Sequence, residues 1–90
     1  MAHRIWKYRL HIKGGEQEFG IPEGATVLYV GKNPQDYSLA VWVDVPDSTA
    51  LAQKRLFEII GTGHEVPAGT RYLGTVVLDE FAWHILEVIP

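Results

Sequence analysis

From Ile5 to Ile12 the bulky apolar residues fall on every second position. Trp6, Tyr8, Leu10 and Ile12 alternate with Lys7, Arg9 and His11. A period of two sends these sets to opposite faces of an extended strand, one dry and one wet. The same rhythm returns from Tyr37 to Val45, where Tyr37, Leu39, Val41, Val43 and Val45 alternate with Ser38, Ala40, Trp42 and Asp44. No helix can sort residues this way, so the alternation restricts the chain to sheet. Thr26–Val30, Arg55–Ile60 and Arg71–Leu78 read as three further strands, Glu16–Ile21 as a weaker one, and Phe81–Ile89 as the last. A tight turn near Asp79-Glu80 joins the final pair.

Turn residues punctuate these runs at Lys13-Gly14-Gly15, Pro22-Glu23-Gly24, Gly31 to Pro34, Val45 to Ser48 and Gly61 to Gly69. Such spacing predicts an all-β domain of about seven antiparallel strands in a small sandwich or barrel. Only Asp47–Lys54 carries helical features, with Asp or Ser as a cap before Ala and Leu. It predicts at most one short helical turn or an irregular connection. Residues 1–90 make a single β domain by the length prior.

Eight Lys and Arg against eleven Asp and Glu give a formal charge of −3. Duplex DNA binders draw much of their affinity from phosphate neutralisation, so no duplex DNA partner is expected. The apolar runs are far shorter than the roughly 20 residues of a membrane helix, so no membrane partner is expected either. There is no cysteine. A reducing, cytoplasmic setting is the expectation.

Two strands are apolar on both faces. In the last, Phe81, Trp83, Ile85 and Ile89 face one way, and Ala82, Leu86 and Val88 the other. Either that strand lies centrally in its sheet or a second copy of the chain covers it, and a homo-oligomer is the expectation.

The segment "IIGTGHEVPAG", Ile59 to Gly69, holds three glycines, a histidine and a proline between two apolar runs. Glycine admits positive φ, so successive amides at Gly61, Thr62 and Gly63 can converge on an anion, with the His64 imidazole beside them. Arg71 and Tyr72 lie at the base of the loop, where a guanidinium can grip a phosphate and a phenol ring can stack on a base. The alternative is structural, a bulged turn that Pro67-Ala68-Gly69 closes. Gly74 marks a bulge or a close approach inside its strand. Trp83 and His84 are sequence neighbours and must face opposite ways. The lysine of a phosphate loop is absent, and no βαβ unit exists to carry a dinucleotide fingerprint. His3, His11, His64 and His84 show no zinc-type spacing, and no carboxylate pair or nucleophile–base pair converges in the sequence. No metal, no cofactor and no catalysis are expected.

Taken in order, "IWKYRL", "IPEGATVLYV", "LAVWVDV", "RLFEIIGTGHEVP", "RYLGTVV" and "WHILEV" resemble a family of short bacteriophage-encoded proteins known only as a domain of unknown function. The resemblance covers nearly the whole chain. It implies a phage origin and action in the bacterial host cytoplasm, and it carries no activity. Small phage proteins of this lifestyle often act by stoichiometric binding. The leading expectation is therefore an anti-defence protein that sequesters a nucleotide-derived host immune signal. Gly61, Thr62, Gly63, His64, Arg71 or Arg55, and Tyr72 or Trp42, would form its site between chains. The second expectation is a protein–protein module that docks on a host or phage protein through a sheet edge.

Overall fold

The computed structural model describes residues 2–90. Seven strands follow one another: β1 (Arg4–Leu10), β2 (Glu16–Pro22), β3 (Thr26–Lys32), β4 (Leu39–Val45), β5 (Ala52–Gly61), β6 (Thr70–Leu78) and β7 (Phe81–Val88). They form a three-stranded sheet ordered β1-β4-β3 and a four-stranded sheet ordered β2-β5-β7-β6, with every pairing antiparallel. The two sheets face each other in a sandwich-like arrangement, and β3 packs across the gap on β6. The sandwich, rather than the closed barrel, is the form this chain takes.

The alternation read from the sequence sets the inner faces. Leu10 of β1, Leu39, Val41, Val43 and Val45 of β4, and Val30 of β3 are buried, with Trp6 and Tyr8 packed against them. Facing them from the other sheet are Ile21, Phe57, Ile59, Val76, Leu78 and Ile85. Burying side chains of this size contributes roughly 1.5–3 kcal/mol each. Phe19 bridges the layers, its ring centroid 5.4 Å from Tyr8 and 6.0 Å from Phe57. Near the same end, Arg55 spans to Glu87 through two parallel bonds, Nε to Oε2 at 2.6 Å and Nη2 to Oε1 at 2.8 Å. Its Nη1 donates to the Ala25 carbonyl at 2.7 Å. The Glu87 carboxylate holds the Arg55 guanidinium above its ordinary pKa, against the opposing effect of burial.

Asp47–Lys54 takes the irregular form of its two expected ones, with no helix. Asp47 instead accepts bonds from the Thr49 amide and hydroxyl in a turn, and β5 already begins at Ala52. Short polar side chains that bond their own backbone favour turns over helix, which is what Asp47 does. Tyr37 is not core: β4 starts two residues later, and Tyr37 is 61% exposed with its hydroxyl donating to Asp79 Oδ2 at 2.7 Å. The tight turn after β6 holds, with Asp79 at φ 55°, a region that aspartate tolerates better than most residues.

β7 lies in the middle of its sheet, between β5 and β6. Both neighbours run antiparallel to it, so β5 and β6 are parallel to each other. Residues 62–69 must therefore return from one end of the sheet to the other, and they do so across its outer face. Leu86 points to that face and is still only 1% exposed, because the strap with Val66 lies over it. The apolar outer face of β7 is thus covered at Leu86 by the chain itself, and the double-faced pattern does not need a second copy.

Candidate functional site

The Gly61–His64 turn is closed by a bond from the His64 amide to the Gly61 carbonyl at 3.2 Å. Gly63 takes φ 94° at the third position, as a type II turn requires. Gly69, at φ 74°, ends the strap, and its carbonyl accepts from the Ile89 amide at 2.7 Å. Two of the three loop glycines are thus used by backbone geometry. The amide that closes the turn is that of His64, not one of the Gly61, Thr62 and Gly63 amides that the anion reading uses.

Three hollows meet around this turn. The first, about 460 Å³, is a notch with Ile12, Lys13 and Gly14 on one side and Glu58 to Gly61, His64, Glu65 and Trp83 on the other. It exists because β2 pairs with β5 only as far as Glu16 opposite Glu58. Beyond that point the β5 edge at Ile59, Ile60 and Gly61 has no strand beside it. The far wall is held by Gln17, whose buried amide accepts from the His11 amide at 2.9 Å and donates to the His11 carbonyl at 2.8 Å. The second hollow, about 430 Å³, lies between Thr62, His64, Glu80, Phe81 and Trp83. The third, about 200 Å³, lies under the strap, where Thr62, Val66, Tyr72, His84 and Leu86 converge. His64 is exposed and lines all three.

As period two requires, Trp83 and His84 serve different hollows. His84 is the centre of a hydroxyl cluster on the outer face. Its Nε2 meets Thr62 Oγ1 at 2.8 Å, and its Nδ1 meets Tyr72 Oη and Thr75 Oγ1, each at 3.1 Å. Tyr72 and Thr75 also bond each other. Hydroxyls take both ring nitrogens and no carboxylate orients the imidazole, so the cluster clasps the strap to the sheet. It sets hydroxyls against an imidazole without a carboxylate to orient the ring. Sequence reasoning missed His84 and Thr75 as partners of Tyr72. The register that joins them, Thr75 opposite His84, follows a bulge between Tyr72 and Gly74, and a bulge shifts pairing by one residue without a sequence mark of its own.

The expected site residues divide. Gly61, Thr62, Gly63, His64 and Tyr72 come together around the third hollow. Arg71 does not join them: it faces the other side of β6, opposite Glu87, and lines none of the three hollows. Arg55 is committed to Glu87 and Ala25. Trp42 lies in the other sheet. The charged side chains that do line the hollows are Lys13 against Glu58, Glu65 and Glu80, a balance that repels phosphate. Among the described residues, no group of three or more His, Cys, Asp or Glu is placed to hold a metal ion.

No curated protein and no solved structure matches this chain. A family model does, over residues 1–90, and the chain belongs to the family described as Domain of unknown function (DUF7352).

Proposed function

We propose that this domain is a non-catalytic docking module that takes an extended segment of a partner protein into the notch beside Trp83. The observation that carries this reading is the free edge of β5. Where β2 stops at Glu16, the backbone of Ile59 to Gly61 borders a hollow of about 460 Å³ instead of another strand. A peptide laid along such an edge gains main-chain hydrogen bonds, and a neighbouring pocket selects its alternate side chains. Ile12 and Trp83 supply an apolar wall for one of them, and His64 and Glu65 a polar rim. The resemblance to phage-encoded proteins supports a host or phage protein in the bacterial cytoplasm as the target. Sequestration of a nucleotide-derived signal at the same loop is the weaker reading, because no arginine or lysine lines the third hollow and three glutamates line the other two.

A random library of extended peptides, selected on the purified protein, tests this. Selected peptides should shift the amide resonances of Ile59, Ile60 and Gly61. They should also lose about tenfold or more in affinity, ~1.4 kcal/mol, for the Gly61→Leu protein. A side chain at Gly61 would grow toward His64 and Trp83, which lie 3.4 and 3.5 Å from an added Cβ. Peptides that bind both proteins equally refute the notch as the docking site. Release of a nucleotide on denaturing protein drawn from infected cells would restore the sequestration reading.

A further inference from the structure

The sandwich is drawn together along one side and open along the other. β3 packs on β6, whereas β1 and β2, the strands at the opposite ends of the two sheets, make no such approach. Side chains bridge them instead: the Tyr8 and Phe19 rings, with centroids 5.4 Å apart, and Gln17, whose amide bonds the His11 backbone. Trp6, Tyr8 and Phe19 pack against the core along this opening and are still only half-buried. Each of the two strands has a neighbour on one side alone. A row of backbone donors and acceptors on each is therefore left for another chain to pair.

The two edges carry opposite charge. β1 holds Arg4, Lys7 and Arg9 and no acid, while β2 holds Glu16 and Glu18 and no cation. Lys7 and Arg9 alternate with the inward Trp6, Tyr8 and Leu10, and Glu16 and Glu18 with the inward Gln17, Phe19 and Ile21. Period two therefore stands all four on the outer faces. Within the chain they are poorly answered. Lys7 Nζ bonds the neutral side chains of Asn33 and Gln35. Arg9 Nε lies 3.1 Å from Asp36 Oδ2 and Lys54 Nζ 3.8 Å from Glu18 Oε1, and both pairs are exposed enough to be weak. Register sets Glu16 directly opposite Glu58, and neither joins a salt bridge among the described residues. Like charges so placed destabilise a sheet, and a cation brought to Glu16 relieves them. Each edge repels its own kind, and the two edges attract each other.

We infer that a second copy of this chain covers the open side, β1 of each copy pairing with β2 of the other about a two-fold axis along the strands. β1 and β2 run in opposite directions, because Tyr8 lies beside Phe19 while His11, further on, is bonded by Gln17, further back. Rotation about such an axis preserves strand direction and keeps outer face beside outer face. Arg9 then falls opposite the partner's Glu18, with Lys7 and the partner's Glu16 on the diagonals, within reach of long side chains. Main-chain bonds form along both edges, and both sheets continue through the contact. It involves neither β7 nor the edge of β2 turned toward β5, so it does not depend on the docking notch.

Sedimentation of the purified protein should show a dimer at micromolar concentration in low salt. Lys7→Glu with Arg9→Glu, and Glu16→Lys with Glu18→Lys, should each weaken self-association at least about tenfold, ~1.4 kcal/mol, with melting curves showing both folded. Mixed in equal amounts, the two variants should dimerise again, because one β1–β2 contact then carries the native charges and the other carries them reversed. Hydrogen exchange needs no variant: amides of residues 4–10 and 16–22 should exchange more slowly at concentrations that hold the dimer than at dilutions that separate it. A monomer at millimolar concentration overturns the inference, as does exchange at those amides that ignores the dilution. So does a dimer that both variants retain, or a mixture of the two that stays monomeric.

Discussion

Replacing Gly74 with alanine tests how closely the two sheets approach. A Cβ at Gly74 would stand 2.6 Å from Val30 Cγ2, where carbon contacts are comfortable at about 3.5–4.0 Å. The shortfall is about 1 Å. Val30 is buried and β-branched, so its side chain has few rotamers to retreat into. Inserting a methyl group into such packing costs about 1–3 kcal/mol. Gly74 has negative φ, since it is not among the glycines with positive values. Alanine therefore carries no left-handed penalty and recovers ~0.5–1 kcal/mol of backbone entropy. The net loss is about 1–2 kcal/mol, which for a domain of this size lowers Tm by roughly 5–15 °C. Val30→Ala alone should cost about 2 kcal/mol through lost burial and a cavity. Combined, the new methyl enters the vacated space, so the double variant should be more stable than the sum of the singles by ~1 kcal/mol or more. Urea melts of the four proteins measure this coupling. Additive losses, or a Gly74→Ala protein that melts with the parent, would show that the sheets separate freely and that the glycine is not there for packing.

Glu87→Ala strands the Arg55 guanidinium between the sheets and should cost about 3 kcal/mol in denaturant melts, the low end for a broken buried pair because Arg55 keeps the Ala25 carbonyl. The double replacement Arg55→Met, Glu87→Leu should recover most of that loss. His64→Ala and Arg71→Ala should each change stability by no more than about 0.5 kcal/mol, because both side chains are exposed; only the first should weaken peptide capture at the notch. Two phenols should ionise late: burial raises Tyr8 above its ordinary value, partly offset by Arg55, and the bond to Asp79 raises Tyr37. A raised folded pKa contributes stability that is complete below the ordinary value of 10.0 and is lost as pH climbs through the folded value. Ultraviolet titration should place both above the free phenol, and Tyr37→Phe should remove one of the two delayed transitions.

The strands were legible because alternation is local. Trp6, Tyr8 and Leu10 reveal their shared face without any knowledge of what lies opposite. Gly74 was legible too, as a residue whose missing side chain had to mean a bulge or a close approach, and it means both. What could not be read depends on order in space. Whether β7 was central or uncovered turned on strand order, and the strap that buries Leu86 follows only from that order. Arg71 and Tyr72 are adjacent in the sequence, yet adjacency on a strand separates side chains to opposite faces, as it does for Trp83 and His84. Asp47–Lys54 reads both ways because a good cap residue serves turns as well as helices.

The central place of β7 also governs how the chain matures. β5 and β6 do not pair directly with each other, and the strand that joins them comes last of the three in sequence. Until residues 81–88 arrive, an unfinished layer displays Phe57, Ile59 and Val76 to the surrounding solution. Assembly of that layer is therefore an all-at-once event, and a chain cut before Phe81 would expose a sticky intermediate for chaperones to shelter.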